Sequence, residues 1–540
     1  MRNLRVASGI LVVLAIVMFG IVGVYAQQST VDKSGGTLVI ALNEKLDTLD
    51  VFTSALASPL RVLGMVCETL VVYDNNLQVQ PLLAKSWSVS EDQLTWTFQL
   101  KEGINFHDGT PFNAQTLREY LVDYFIPKSF NGWEFDPVKE IVATGEYTIQ
   151  FVLDKPYPML LKYLGDPWNI IESPVARAND GDQYGFNALS GTGPYMFVSW
   201  VRGDRIVLKR NPDYNHGPSF LTNQGPGYPD EIIFREIPEA VTEVAELQHG
   251  DVDLVRTVPE NMLAQLQKDS NVTVALHPSF RVIYVSCNME KPIMQDKQVR
   301  EAINHAIDRQ PILDATFGGY GEFAYSLLPS NATGYWSGSK DFASSILTYD
   351  VNESRRLLDA AGWVLPNGKQ FREKDGQVLK LDLVTFNVPR YQLPAQVVKA
   401  MLTEVGIDVN LEVFDAAAAN ARLEAGDFDF TVTGWAYNIG EVTLDMIVGS
   451  QSIPNPNYAR YNSPEIDNLL QTVRLGATDE ERSAAAAQVQ QQIIEDQIDI
   501  PLVVRIDSLV AKTRVGGLDD LEQNPWWLDL AAALELYVKK

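Results

Sequence analysis

Two short stretches carry the residue types best able to hold a ligand: Asn387-Val388-Pro389-Arg390-Tyr391 and Trp435-Ala436-Tyr437-Asn438-Ile439-Gly440-Glu441. Together they offer an arginine, a carboxylate and three aromatic rings. The Arg390 guanidinium is a fork of donors that pairs bidentately with a carboxylate. Trp435 and Tyr437 present flat apolar faces suited to stacking on a sugar ring or covering peptide side chains. Asn438 can hydrogen-bond an amide or a hydroxyl. Each has a plainer alternative: Arg390 at the surface or in an ion pair between lobes, the aromatics in simple packing, Glu441 as a solvated loop acid.

Both stretches follow predicted strands. Leu381, Leu383 and Phe386 outline the first. A helix is predicted from Gln392 to Glu404, with Val397, Val398, Met401 and Leu402 on its apolar face. Gly406 stops it, because glycine readily adopts the left-handed cap. Ile407, Val409, Leu411 and Val413 alternate with polar residues at the period of a strand. An alanine-rich helix over 416–425 ends at Gly426, and a third strand through Phe428, Phe430 and Val432 breaks at Gly434-Trp435. This β-α-β-α-β order predicts parallel strands with right-handed crossovers. Ligands of such sheets sit beyond the carboxyl ends of the strands, where both loops would lie. Residues 380–441 therefore read as half of a ligand cleft.

The 540 residues exceed what one core holds, so at least two domains are expected. A net charge of −26 argues against sequence-blind nucleic-acid binding. Arg2 and Arg5 precede an uncharged apolar run from Val6 to Ala26, which ends in Val24-Tyr25-Ala26. Residues 1–26 read as a secretory signal cut after Ala26, although the run is also long enough for an uncleaved anchor. Residues 27–36 read as a mobile polar tether. Export permits a disulfide, yet Cys67 and Cys287 are expected to be buried free thiols. A first lobe is assigned to 37–280, with a small β-rich module inserted at 70–185, where Leu94–Leu100 and Tyr147–Leu153 alternate as antiparallel strands. Val282–Ser286 crosses into a second lobe, 281–504. Ile500–Val504 returns, and the tail 505–540, with Pro525-Trp526-Trp527, rejoins the first lobe.

Seven blocks in order make a more specific pattern. They are Leu82-Leu83-Ala84-Lys85-Ser86-Trp87, the run from Trp96 to Pro111, Gly191–Tyr195, Asn211–Tyr214, Val299–Arg309, Leu357–Trp363 and Tyr461–Asp467. From about Gly36 to Leu536 the chain resembles the family 5 extracellular solute-binding proteins, the peptide, nickel and opine binders of ABC importers. The resemblance implies an α/β, two-lobed periplasmic-binding-protein fold of the cluster C type, with an additional small β-rich domain in the N-terminal lobe. It further implies closure over a ligand outside the cytoplasm, delivery to an ABC permease complex in the membrane, and no catalytic activity. In peptide binders of this family an aspartate after the Gly-Trp strand holds the peptide α-amino group, and an arginine from the preceding βα loop takes the carboxylate. By that resemblance the ligand-binding candidates are Arg390, Tyr391, Trp435, Tyr437, Asn438 and Glu441. Asn438 and Glu441 fall where many such proteins carry aspartates. The usual Asp-Pro is absent, which leaves Glu441 as the available acid for an amine.

Oligopeptides or dipeptides are the expected ligands, and oligosaccharides are the alternative, given the ring-stacking aromatics. A secreted hydrolase would need a carboxylate pair such as Glu441 and Asp445, but no nucleophile–base arrangement can be drawn. The five histidines are scattered without ligand spacing, so no metal site is expected. Gly319-Tyr320-Gly321-Glu322-Phe323-Ala324 follows a helix rather than a strand, which argues against dinucleotide binding. No cofactor is expected, and the chain is expected to act as a monomer.

Overall fold

The computed structural model describes residues 33–53, 58–437, 439–521 and 529–540. The signal segment, most of the tether, Asn438 and Pro525-Trp526-Trp527 lie outside the described residues.

The expected two-lobed α/β architecture is built on one sheet of 11 strands. In one wing, Thr37–Leu42 lies parallel to Glu231–Glu236 and to Leu254–Arg256. The hairpin of Tyr195–Val201 and Arg205–Arg210 extends that wing antiparallel. In the other wing, Lys380–Phe386 lies between the parallel strands Asp408–Phe414 and Phe430–Ala436. Two long antiparallel strands, Val272–Cys287 and Asp499–Lys512, pass through both wings.

The two long strands are far longer than the crossings expected at Val282–Ser286 and Ile500–Val504. Val272–Leu276 already alternates, but His277-Pro278-Ser279 reads as a break in sequence. The structure accommodates the break as a register shift between Pro278 and Val282, with a second between Ile283 and Tyr284. Proline has no N–H for the ladder and is tolerated at such irregularities.

Alternation across these strands fixes the core of the second lobe. Ile283 and Val285 pack on one face with Leu381, Leu383, Val398 and Phe430, while Val282 and Tyr284 pack on the other with Leu444, Ile447, Val489 and Ile493. Helices thus cover both faces of a mixed sheet, parallel at Lys380–Phe386 and antiparallel at the two long strands. In the first lobe the inserted module is a four-stranded antiparallel sheet of Ala84–Val89, Thr95–Leu100, Thr148–Leu153 and Val138–Gly145. Its buried face (Phe98, Leu100, Ile149, Phe151) belongs to the same apolar cluster as Leu38 and Ile40.

Other expectations shift at element ends. The helix expected to begin at Gln392 begins at Pro389, because a proline lacks only an N–H that the first turn would leave unpaired anyway. The end of the tether is fastened down: the Gly35 N–H donates to Tyr228 O at 2.7 Å, and the Gly36 N–H to Asp230 Oδ2 at 3.0 Å. Cys67 and Cys287 are both free and buried, and burial pushes the Cys287 thiol up to about 12.

Candidate functional site

Two of the sequence-predicted loops are parts of regular elements. Arg390 and Tyr391 sit in the first turn of the helix Pro389–Glu404. Trp435 ends the strand Phe430–Ala436, and Glu441 lies in the first turn of the helix Gly440–Val448. Arg390, Tyr391, Tyr437 and Glu441 lie beyond the strand ends, the first two and Glu441 in helical turns, whereas Trp435 is still within its strand.

Tyr391 is the buried pivot of one group. Its hydroxyl donates to Gly434 O at 3.1 Å and accepts from Arg281 Nη1 at 2.7 Å. Arg281 Nη1 also reaches Gly434 O at 3.3 Å. The approach depends on glycine at 434, since a Cβ there would lie 2.6 Å from Val282 O and 3.2 Å from Tyr391 Cε1. The Arg390 guanidinium sits over the Tyr391 ring, 5.1 Å from its centroid. Its Nε is buried without a hydrogen-bond partner. Among the described residues neither Arg281 nor Arg390 pairs with a carboxylate. Two cations without an acid thus flank one tyrosine, and what they lack is an anion.

Trp435 is not part of that group. It pairs in the ladder with Val282 and packs with the cluster of Val282 and Tyr284, on the face of the sheet opposite Tyr391. Its indole Nε1 is also buried and unpartnered.

Tyr437 and Glu441 reach across to the first lobe. The Tyr437 hydroxyl donates to Asp166 Oδ2 at 2.8 Å. Asp166 is fully buried, also accepts from the Trp168 N–H, and is pushed up to about 6 by burial. Beside it Glu134 is buried too, accepts from Asn169 Nδ2 at 2.6 Å, and is raised by burial and by the Asp166 charge. Glu441 Oε1 forms an ion pair with Lys162, from the short helix Met159–Tyr163. Its Oε2 accepts from Thr333 Oγ1 at 2.5 Å, and that hydroxyl in turn accepts from the Gly440 N–H at 3.0 Å. Burial alone would raise the Glu441 carboxyl. The Lys162 charge and the hydrogen bonds from Lys162 and Thr333 outweigh it and hold the group below its ordinary value. Ile439 and Val442 add apolar contact with the core of the first lobe.

The structure therefore brings Arg390 and Tyr391 together, sets Trp435 on another face, and turns Tyr437 and Glu441 toward the opposing lobe. Arg281, Lys162, Thr333 and Asp166 were missed from sequence. Arg281 adjoins the predicted strand Val282–Ser286 and was within reach of the pattern. Lys162 meets an acid 279 positions away, and nothing local signals that. Asp445, the second acid of a hydrolase pair, is bound to Arg474 at 2.8 Å. Among the described residues no three acids, histidines or cysteines are grouped to hold a metal, and no helix is long and apolar enough to cross a membrane.

Residues 78–450 match the family described as bacterial extracellular solute-binding proteins, family 5 Middle. The chain is 27% identical over 511 residues to the oligopeptide-binding protein AppA of Bacillus subtilis, covering 90% of this chain and 91% of that protein. It is 28% identical over 482 residues to the glutathione-binding protein GsiB of Escherichia coli, covering 86% and 88%. Its fold superposes with a TM-score of 0.74 on the periplasmic binding protein DppA of Helicobacter pylori in complex with the peptide STSA, at 25% identity over 94% of this chain and 99% of that one.

Proposed function

Because the chain belongs to the bacterial extracellular solute-binding proteins of family 5, we propose that it captures peptides between its two lobes and hands them to an ABC permease in the membrane. The observation that carries the peptide reading is the pair of acid-free guanidinium groups, Arg281 and Arg390, around Tyr391 at the strand ends. A peptide carboxylate there would give both cations a partner. The oligopeptide, glutathione and peptide ligands named for its relatives support the same class. The oligosaccharide alternative is weaker, because Tyr437 packs against the first lobe and Trp435 against its own.

Mechanistically, the long strands Val272–Cys287 and Asp499–Lys512 join the lobes, and the swing falls at their register break from Pro278 to Val282. Ligand gripped from both sides favours the shut form by the contacts it makes only there. The permease then reads the shut shape. Glu441 and Asp445 each face a cation, so these two do not act as a carboxylate pair, and the ligand is released unaltered. Residues 1–26 direct export, and one chain suffices for closure, so the protein works as a monomer outside the cytoplasm. Calorimetric titration with synthetic tri- to pentapeptides and with malto-oligosaccharides tests the reading. Heats from peptides alone are expected. Binding of the sugars and not the peptides would replace it with the oligosaccharide role.

A further inference from the structure

Resting on that peptide reading, we infer that the cleft does not read a free amino terminus: Lys162 of the opposing lobe fills the place of a ligand ammonium on Glu441. Both Glu441 oxygens are engaged, Oε1 by Lys162 and Oε2 by Thr333. The side chain is 7% exposed. The main chain at Gly334 closes the remaining side, where even a Cβ would lie 3.0 Å from Glu441 Cδ. In the shut form an ammonium on Glu441 would therefore have to share one carboxylate with a second cation, or keep out a lysine that is itself mostly buried. Like charges around one acid disfavour the first route, and the unpaired Lys162 left behind disfavours the second.

The other acids nearby are engaged as well. Asp166 accepts from Tyr437 and the Trp168 N–H, and Glu134 accepts from Asn169; both are sealed from solvent. Asp445 is held by Arg474. The sequence supplies no further acid between Tyr437 and Glu441. Meanwhile the group around Tyr391 presents Arg281 and Arg390 as donors without an acid, so a ligand carboxylate is read there, while Lys162 closes Glu441 to an ammonium. Lys162 is thus a specificity-determining residue, and peptides with blocked amino termini are ligands on equal terms with free ones.

The test is competitive capture. The protein is incubated with an equimolar set of synthetic tri- to pentapeptides, each present free and N-acetylated with distinct isotopic labels, and captured peptide is quantified by mass spectrometry. Wild type is expected to take the two forms within about threefold of each other. The Lys162→Met variant, which uncovers Glu441, is expected to prefer the free form by about tenfold or more. A preference of wild type for free amino termini of about tenfold overturns this inference and leaves the peptide function standing. An unchanged ratio in a peptide-binding Lys162→Met protein overturns it too. Capture of neither form would remove the peptide function and this inference with it.

Discussion

Glu441 and Lys162 are far apart in sequence and come from different lobes, so their pairing is a property of the shut molecule. Glu441→Gln leaves the Lys162 ammonium facing a neutral amide, which should weaken closure by about 1–3 kcal/mol. The expected outcome in calorimetry is a rise in peptide Kd by the same factor for free and acetylated ligands; a loss confined to free ligands would return Glu441 to the role of amine anchor. Arg281 belongs to the opposite test. Arg281→Met should cost peptides with a free carboxylate about 1.5–3 kcal/mol and leave their C-terminal amides nearly unaffected. Equal loss for acids and amides would assign Arg281 to packing alone. Arg390 was legible in sequence because it follows a strand at a sheet end, where chemistry collects. Arg281 adjoins a predicted strand and was within reach, but its strand continues back through a proline that reads as a terminator, so it looked like a residue outside any element. Lys162 could not be found at all, since it sits on a five-residue helix with no pattern of its own.

Elements were legible where one periodicity governed them. The parallel strands around Lys380–Phe386 follow their sequence patterns closely. The long strands did not, because their buried and half-buried stretches alternate weakly and the register shifts interrupt the period. Their composition also leaves a mark on stability. Asp499 opens the return strand and is buried, and the Ser286 hydroxyl offsets only part of the burial of its carboxylate. Burial pushes it from 3.8 up to about 7. Glu243, similarly buried, is pushed from 4.5 to about 8. A carboxyl raised in the folded state contributes stability below its unfolded value and loses it as pH rises through the folded one. The thermal midpoint should therefore climb as pH falls from 8 through 7 toward the ordinary histidine range of 6.5, the upper part of the span between the unfolded and folded values. Asp499→Asn should raise stability at pH 9 by on the order of 1–3 kcal/mol and flatten that climb. A variant whose midpoint tracks wild type at every pH would show Asp499 to be compensated in the folded chain.

At the scale of the molecule, order of elements was easier to read than their meeting. Ordered blocks from Leu82 to Asp467 pointed to two lobes and an inserted β module, and both are present. What the lobes do to each other rests on contacts between distant residues: Tyr437 on Asp166, Glu441 on Lys162, Ile439 and Val442 in the first lobe's core. No window of sequence holds both partners of such a contact. These contacts and the ligand act in the same direction, so small-angle scattering should give a smaller radius of gyration with saturating peptide than without. The central claim, capture of an intact peptide, is tested most directly by native mass spectrometry after incubation with defined tri- to pentapeptides, followed by acid release. One peptide per chain, released with unchanged mass, is the predicted result; no retained peptide, or peptides recovered as fragments, would contradict it.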